Sequence, residues 1–344
     1  MRGLVYHGPG EKDWEEIPDP KLIDDSDAIV RVDTATICGT DLHILKGDVP
    51  EVEPGRVLGH EAVGTVVETG IGVDSPRPGD RVLMSCISAC GRCMFCRRGQ
   101  HGQCRGGGGW ILGHTIDGAQ AEYVRVPFAE NSTHKVPDEV SDEQVLYLAD
   151  ILPTAYEVGV LNAHVAPAET VAIVGAGPIG LAAIVGARLF SPREIVVVEP
   201  IEARRQWALR FGAQHAVTPE EAPAVVFDLT DGLGADVAIE AVGMPQTFEL
   251  CTDLVRPGGR VANVGVHGQS ATLHLERLWT RDVTITMGLV DTFSIPTLLS
   301  LISVGGIDPL QFTTHRFAMR DTLDAYDTFT RAAETNAIKV TLSA

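Results

Sequence analysis

The stretch from Val171 to Phe190 constrains the fold more than any other part of this chain. A short apolar run, Val171–Val174, leads into Gly175-Ala176-Gly177-Pro178-Ile179-Gly180, and a helical segment runs on from Pro178 to Phe190. In a strand–turn–helix of this kind the first glycine permits the tight turn. The second lets backbone approach a pyrophosphate, and the third allows close packing of helix on strand. Backbone N–H groups at the helix start then face the anion. A carboxylate follows at suitable spacing. Glu199 ends the next apolar run, 24 positions after Gly175, where it can accept hydrogen bonds from ribose hydroxyls. That charge would repel a 2′-phosphate, which favours NAD over NADP. Arg204 and Arg205 come next, and either could reach a phosphate or simply lie on a solvated helix face. The bland alternative for the motif is a glycine-rich turn in an α/β fold that binds no nucleotide.

The alternation continues on both sides of Glu199. Glu194–Val198 reads as a buried strand, Glu202–Phe211 as a helix, Asp236–Ala241 as a strand, Gln246–Leu254 as a helix and Arg260–Val264 as a strand. Apolar β-branched runs alternating with helices imply parallel strands covered on both faces. The preceding 150 residues differ. Short β-type runs such as Ala28–Ala35, Ala62–Glu68, Asp80–Ser85 and Ala121–Val126 are separated by Gly, Pro and Asp, as in a compact β-rich domain with many loops. Near the end, Ile295–Val304 and Thr322–Ala333 read as helices and Ala337–Leu342 as a strand. Periodicity alone leaves open which domain these join. A chain of 344 residues is expected to hold about two domains.

Charge and hydropathy narrow the partners. The net charge of −19 should repel a phosphate backbone, so no nucleic acid is expected, and the same argument disfavours anionic lipid. No run reaches the ~20 apolar residues of a membrane span, and the N-terminal segment lacks the apolar core of a secretory signal. The expected location is cytoplasmic.

Four of the seven cysteines, Cys90, Cys93, Cys96 and Cys104, crowd into fifteen residues. In a reducing compartment that spacing points to a closed tetrahedral zinc shell, hence a structural site. Cys86 and Cys251 read as buried thiols. A second group is dispersed: Cys38 in Cys38-Gly-Thr40-Asp-Leu-His43, His60 in Gly59-His60-Glu61, and Asp150. Each has an ordinary explanation as a core thiol, a satisfied histidine or a helix cap. Together a Cys, a His and a carboxylate can supply three ligands and leave a position open for water or substrate, as catalytic zinc requires.

With those motifs in this order, the chain resembles the zinc-containing medium-chain alcohol dehydrogenases over essentially its whole length. The resemblance implies a GroES-like β-rich catalytic domain, residues 1–152 with 295–344 returning to it, and an inserted Rossmann domain, residues 153–294. It implies Cys38, His60 and Asp150 as catalytic zinc ligands, with Glu61 a nearby carboxylate able to approach the ion. Thr40 and His43 match proton-relay positions. Lys339 matches a basic residue facing the cofactor phosphates, or is an ordinary exposed lysine. Trp110 matches a substrate-pocket aromatic of the bacterial secondary-alcohol branch, or packs a loop. Asp150 also points to that branch, whereas Glu199 departs from its usual NADP site. The expected activity is reversible oxidation of a small alcohol, favouring a secondary one, with Zn2+ and NAD as cofactors, in a tetramer or dimer. A polyol, a threonine-type amino alcohol or a formaldehyde adduct are alternative substrates. A nucleotide-binding protein without catalysis is the alternative of another class.

Overall fold

The computed structural model describes every residue from Met1 to Ala344. The chain divides into two compact units, Met1–Asp150 with Val290–Ala344, and Ile151–Leu289. None of the helices is long and apolar enough to cross a membrane.

The contiguous unit is a six-stranded parallel sheet. Its strands run in the order His215–Val217, Glu194–Val198, Thr170–Val174, Ala235–Glu240, Val255–Asn263, Thr284–Met287. By sequence this is 3-2-1-4-5-6, the doubly wound order whose switch point lies between the first and fourth strands. Thr170–Val174 is buried at every position, which is why its sequence is continuously apolar rather than alternating. The helix Pro178–Arg188 opens with proline in its first turn, where no N–H is needed, and buries Gly180 through Ala187. Thr284–Met287 is one edge of the sheet and His215–Val217 the other. Met287 is exposed in the former strand, and Leu275 and Trp279 are exposed in the short helical segment that precedes it in sequence.

The other unit is built on a seven-stranded sheet. Thr313–Ala318, Lys339–Ser343, Ala28–Thr36, Ala62–Thr69, Arg81–Met84 and Thr133–Lys135 lie side by side, and Tyr123–Val126 also pairs with Ala28–Thr36. Strand Lys339–Ser343 is antiparallel to Ala28–Thr36, with Thr341 opposite Thr36. A smaller sheet of Glu11–Glu16, Arg2–Gly8 and Arg56–Val57 completes the unit. Leu4, Ile37, Ile44, Leu58, Met84 and Tyr326 are among the side chains fully buried in its core.

Candidate active site and metal centres

Cys38 caps the helix Gly39–Lys46. Asp41, three residues on, accepts the Cys38 backbone N–H at 2.9 Å, and Gly47 ends the helix at φ 84°. The cap holds the Cys38 thiol at the start of the helix. His60 follows Gly59, whose φ is 96°. A Cβ at Gly59 would stand 2.5 Å from Gln120 Cγ, so glycine alone lets this turn pack. Asp150 closes the segment after the helix Asp142–Leu146, itself capped by Ser141.

These elements converge. Asp150 Oδ2 lies 3.5 Å from Cys38 Sγ and 3.3 Å from His60 Nε2. Glu61 joins them, and one ligand atom from each of the four residues lies within 4.8 Å of all the others. Tetrahedral zinc, with bonds of about 2.3 Å to sulfur and about 2.0 Å to nitrogen or oxygen, sets its ligand atoms roughly 3.3–3.8 Å apart. The observed spacings match. Electrostatics agrees. Burial, then the charges of Asp150 and Glu61, push the Cys38 thiol upward, and burial likewise raises Glu61. For His60, burial opposes protonation, but hydrogen bonds to Asp150 and Cys38 outweigh it and lift the ring well above its ordinary value. The Lys339 ammonium offsets the Glu61 charge, and a further cation would let Cys38 ionise beside Asp150.

The surrounding contacts orient the ligands. Asp41, buried, has Oδ1 3.8 Å from His60 Nδ1 and Oδ2 accepting Gln120 Nε2–H at 3.0 Å. Tyr326 donates its hydroxyl to Gln120 Oε1 at 2.7 Å. Such outer partners fix ligand orientation. Thr40 Oγ1 is 3.6 Å from Cys38 Sγ. His43 Nδ1 lies 2.8 Å from Asp48 Oδ2, with 31% of its side chain exposed. Trp110 approaches His60 edge-on, with centroids 6.2 Å apart, and stacks on His114 at 4.2 Å. Lys339 departs from the expectation. Its side chain is 1% exposed, and its ammonium donates to both Glu61 oxygens, at 2.8 and 3.1 Å, and to the Ile37 carbonyl at 2.8 Å. An amine with three buried acceptors presents nothing to a cofactor phosphate; it tethers Glu61.

Cys90, Cys93, Cys96 and Cys104 form the second centre, again with all ligand atoms within 4.8 Å. Cys90 and Cys96 sulfurs are 3.9 Å apart, close to the spacing in a tetrahedral thiolate shell. Backbone N–H groups of Cys96 and Arg105 both point at Cys93 Sγ from 3.5 Å and draw its thiol down to about 6.

In the parallel-sheet unit Gly175 has φ 103°, and a Cβ on Gly180 would sit 1.9 Å from the Gly175 carbonyl oxygen. Nothing lies within 4 Å of a Cβ at Gly177, so the turn is open to an anion beside the N-terminus of Pro178, Ile179 and Gly180. Glu199 is 4% exposed. Its Oε2 accepts the Ala176 N–H at 3.0 Å and its Oε1 the Ile201 N–H at 2.9 Å. The carboxylate therefore sits on the glycine turn with acceptor capacity to spare. Arg205 is tied to the carbonyls of Glu199 and Pro200 and to Glu202. Arg204 is half-buried, in the first turn of helix Glu202–Phe211.

Two family models match the chain: an alcohol dehydrogenase GroES-like domain over residues 24–138 and a zinc-binding dehydrogenase over residues 178–303. An alcohol dehydrogenase of Cupriavidus necator is 34% identical, aligned over 96% of this chain and 95% of its own. The solved zinc-dependent alcohol dehydrogenase 2 from Streptococcus pneumonia is 44% identical, with a TM-score of 0.96 over 100% of this chain and 98% of its own. An alcohol dehydrogenase from Thermus sp. ATN1 is 36% identical, with a TM-score of 0.92 over 100% and 99%. The chain belongs to the zinc-dependent medium-chain alcohol dehydrogenase family. It is an oxidoreductase of alcohols, with a GroES-like fold joined to a Rossmann fold, and the family's cofactors are zinc and a nicotinamide dinucleotide.

Proposed function

We propose that the protein reversibly oxidises a small secondary alcohol to a ketone, with NAD as hydride acceptor and zinc held by Cys38, His60 and Asp150. The convergence of Cys38 Sγ and His60 Nε2 on Asp150 Oδ2, at 3.5 and 3.3 Å, carries the reading. A zinc ion there supplies Lewis acidity, which stabilises negative charge on the substrate oxygen. The chain's own groups do the rest. Thr40, beside Cys38, accepts a hydrogen bond from the substrate hydroxyl and takes its proton as it gives up its own, and His43, steadied by Asp48 and partly exposed, is the group of the chain placed to deliver a proton to solvent. Asp41, itself held by Gln120, lies on the Nδ1 side of the His60 ring at 3.8 Å, where its charge favours that orientation. Lys339 holds Glu61 within reach of the ligand set. Trp110, edge-on to His60, supplies an apolar wall suited to an alkyl substituent.

Glu199 supports NAD, because a buried carboxylate on the glycine turn repels a 2′-phosphate. Arg204 is the nearby cation that would accommodate one, and the cofactor test below decides between them. Cys90, Cys93, Cys96 and Cys104 hold a second, structural zinc. The open edge of strand Thr284–Met287, with Met287 exposed on it, supports a homo-oligomer.

The test is absorbance of reduced nicotinamide with a panel of alcohols, alongside zinc content. Wild type is expected to carry two zinc ions per chain and to prefer secondary alcohols. Cys38→Ser and His60→Ala are expected to carry one zinc and to lose turnover while still binding NADH. Unchanged turnover in both variants would refute the assignment.

A further inference from the structure

In a doubly wound sheet a dinucleotide lies across the carboxyl ends of the strands at the switch point, one nucleotide half on either side. Here the glycine turn and Glu199 equip the side of Thr170–Val174 and Glu194–Val198. The other half falls at the carboxyl ends of Ala235–Glu240 and Val255–Asn263. Three polar side chains meet there that none of the chemistry above uses: Glu240, Asn263 and His267.

Glu240 is fully buried. Its Oε1 accepts the N–H groups of Val242 and Gly243, both at 2.9 Å, and the Thr247 hydroxyl at 2.7 Å. Its Oε2 accepts no hydrogen bond and faces His267 Nε2 at 3.6 Å. Asn263 donates from Nδ2 to the Gly265 carbonyl at 3.0 Å, which turns its Oδ1 toward His267 Nε2, 2.9 Å away. With a carbonyl-type oxygen and a carboxylate both facing Nε2, that nitrogen carries the hydrogen, and Nδ1 is left as a lone-pair acceptor. Nδ1 is buried and has no partner. The turn is drawn tight around this group, because a Cβ on Gly265 would stand 2.2 Å from Gly243 N and 2.4 Å from Glu240 Oε2. A buried acceptor oriented by two neighbours and left without a donor is a place kept for one.

Resting on the dinucleotide reading above, we propose that His267 Nδ1 accepts a hydrogen bond from the nicotinamide nucleoside, either a ribose hydroxyl or the carboxamide NH2. Asn263 and Glu240 fix the tautomer that makes this possible. The experiment is calorimetric titration of the zinc-loaded full chain with NADH, ADP-ribose and ADP. His267→Phe, which keeps a ring but removes the acceptor, is expected to weaken NADH binding about tenfold and to leave ADP within twofold. Loss of ADP-ribose affinity in step with NADH assigns the donor to the ribose; loss for NADH alone assigns it to the carboxamide. His267→Asn, whose amide oxygen can stand near the Nδ1 position, is expected to recover part of the NADH affinity. NADH binding unchanged in His267→Phe, or ADP lost as heavily as NADH, would overturn the proposal. Wild type that binds neither NADH nor ADP would bring down the dinucleotide reading itself, and this inference with it.

Discussion

Replacing Lys339 with methionine tests how the catalytic unit is held together. Lys339 and Glu61 side chains are each 1% exposed and meet at 2.8 Å. Methionine keeps most of the lysine volume but removes the charge and the donor to the Ile37 carbonyl. The Glu61 carboxylate is then left buried and unpaired among Asp150, Cys38 and His60. Removing one partner of a buried pair costs about 3–5 kcal/mol. At roughly 2–4 °C per kcal/mol for a unit of about 200 residues, Lys339→Met should melt some 6–20 °C below wild type. Glu61→Met with Lys339→Met should recover most of that loss, because an apolar pair of similar volume is often as stable as the ion pair it replaces. The assay is thermal unfolding of zinc-loaded protein followed by circular dichroism, closed as a double-mutant cycle. A single variant that melts within 2 °C of wild type, or a double variant no more stable than Lys339→Met, would refute the reasoning.

Three further outcomes follow from the geometry. Cys93→Ser removes the thiolate that two backbone N–H groups stabilise, so the variant should lose one zinc per chain and melt lower; normal melting with one zinc fewer would contradict a structural role. Glu199→Ala should reduce the NAD-to-NADP ratio of kcat/KM by about tenfold, a change of roughly 1.4 kcal/mol, and an unaltered ratio would remove the basis for naming NAD. Burial, with His101 nearby, holds His134 down at about 4, so the unfolded chain binds the extra proton first as pH falls. Stability tied to this ring is fully present above about pH 6.5 and is lost between there and pH 4, by at most about 3 kcal/mol. His134→Gln should therefore flatten melting temperature against pH across that window, whereas curves parallel to wild type would show that the ring contributes nothing.

The parallel sheet was legible because strands buried on both faces are continuously apolar and each is followed by a helix. Val255–Asn263 was read only from Arg260, since Pro257-Gly258-Gly259 interrupts its first half. The small sheet escaped notice because Glu11–Glu16 is a charged strand in which Trp14 is the single apolar residue packed on the core, so its sequence shows no apolar alternation. The last strand, read as Ala337–Leu342, lies at Lys339–Ser343, and it pairs with Ala28–Thr36 of the unit that begins the chain. The residue types around the metal centres were visible from spacing and family resemblance, but their support was not. Asp41 finds Gln120 79 positions away, and Gln120 finds Tyr326 206 positions away. His114 gave no motif, and only coordinates reveal it stacked on Trp110. Nothing local in the sequence separates a lysine facing phosphate from one buried on a carboxylate, which is why Lys339 was misplaced.

The strand Lys339–Ser343 has a consequence during synthesis. The parallel-sheet unit is one unbroken stretch and can fold while translation continues. Its neighbour cannot be completed, because the Thr34–Thr36 end of Ala28–Thr36, though paired with Ala62–Thr69 on one side, lacks its partner on the other, and Glu61 lacks its counter-charge, until residue 339 and those after it have left the ribosome. A nascent chain with only its first 300 residues outside the ribosome would thus hold a finished Rossmann fold tethered to an incomplete one, with sheet edge and buried acid exposed to whatever chaperone is at hand.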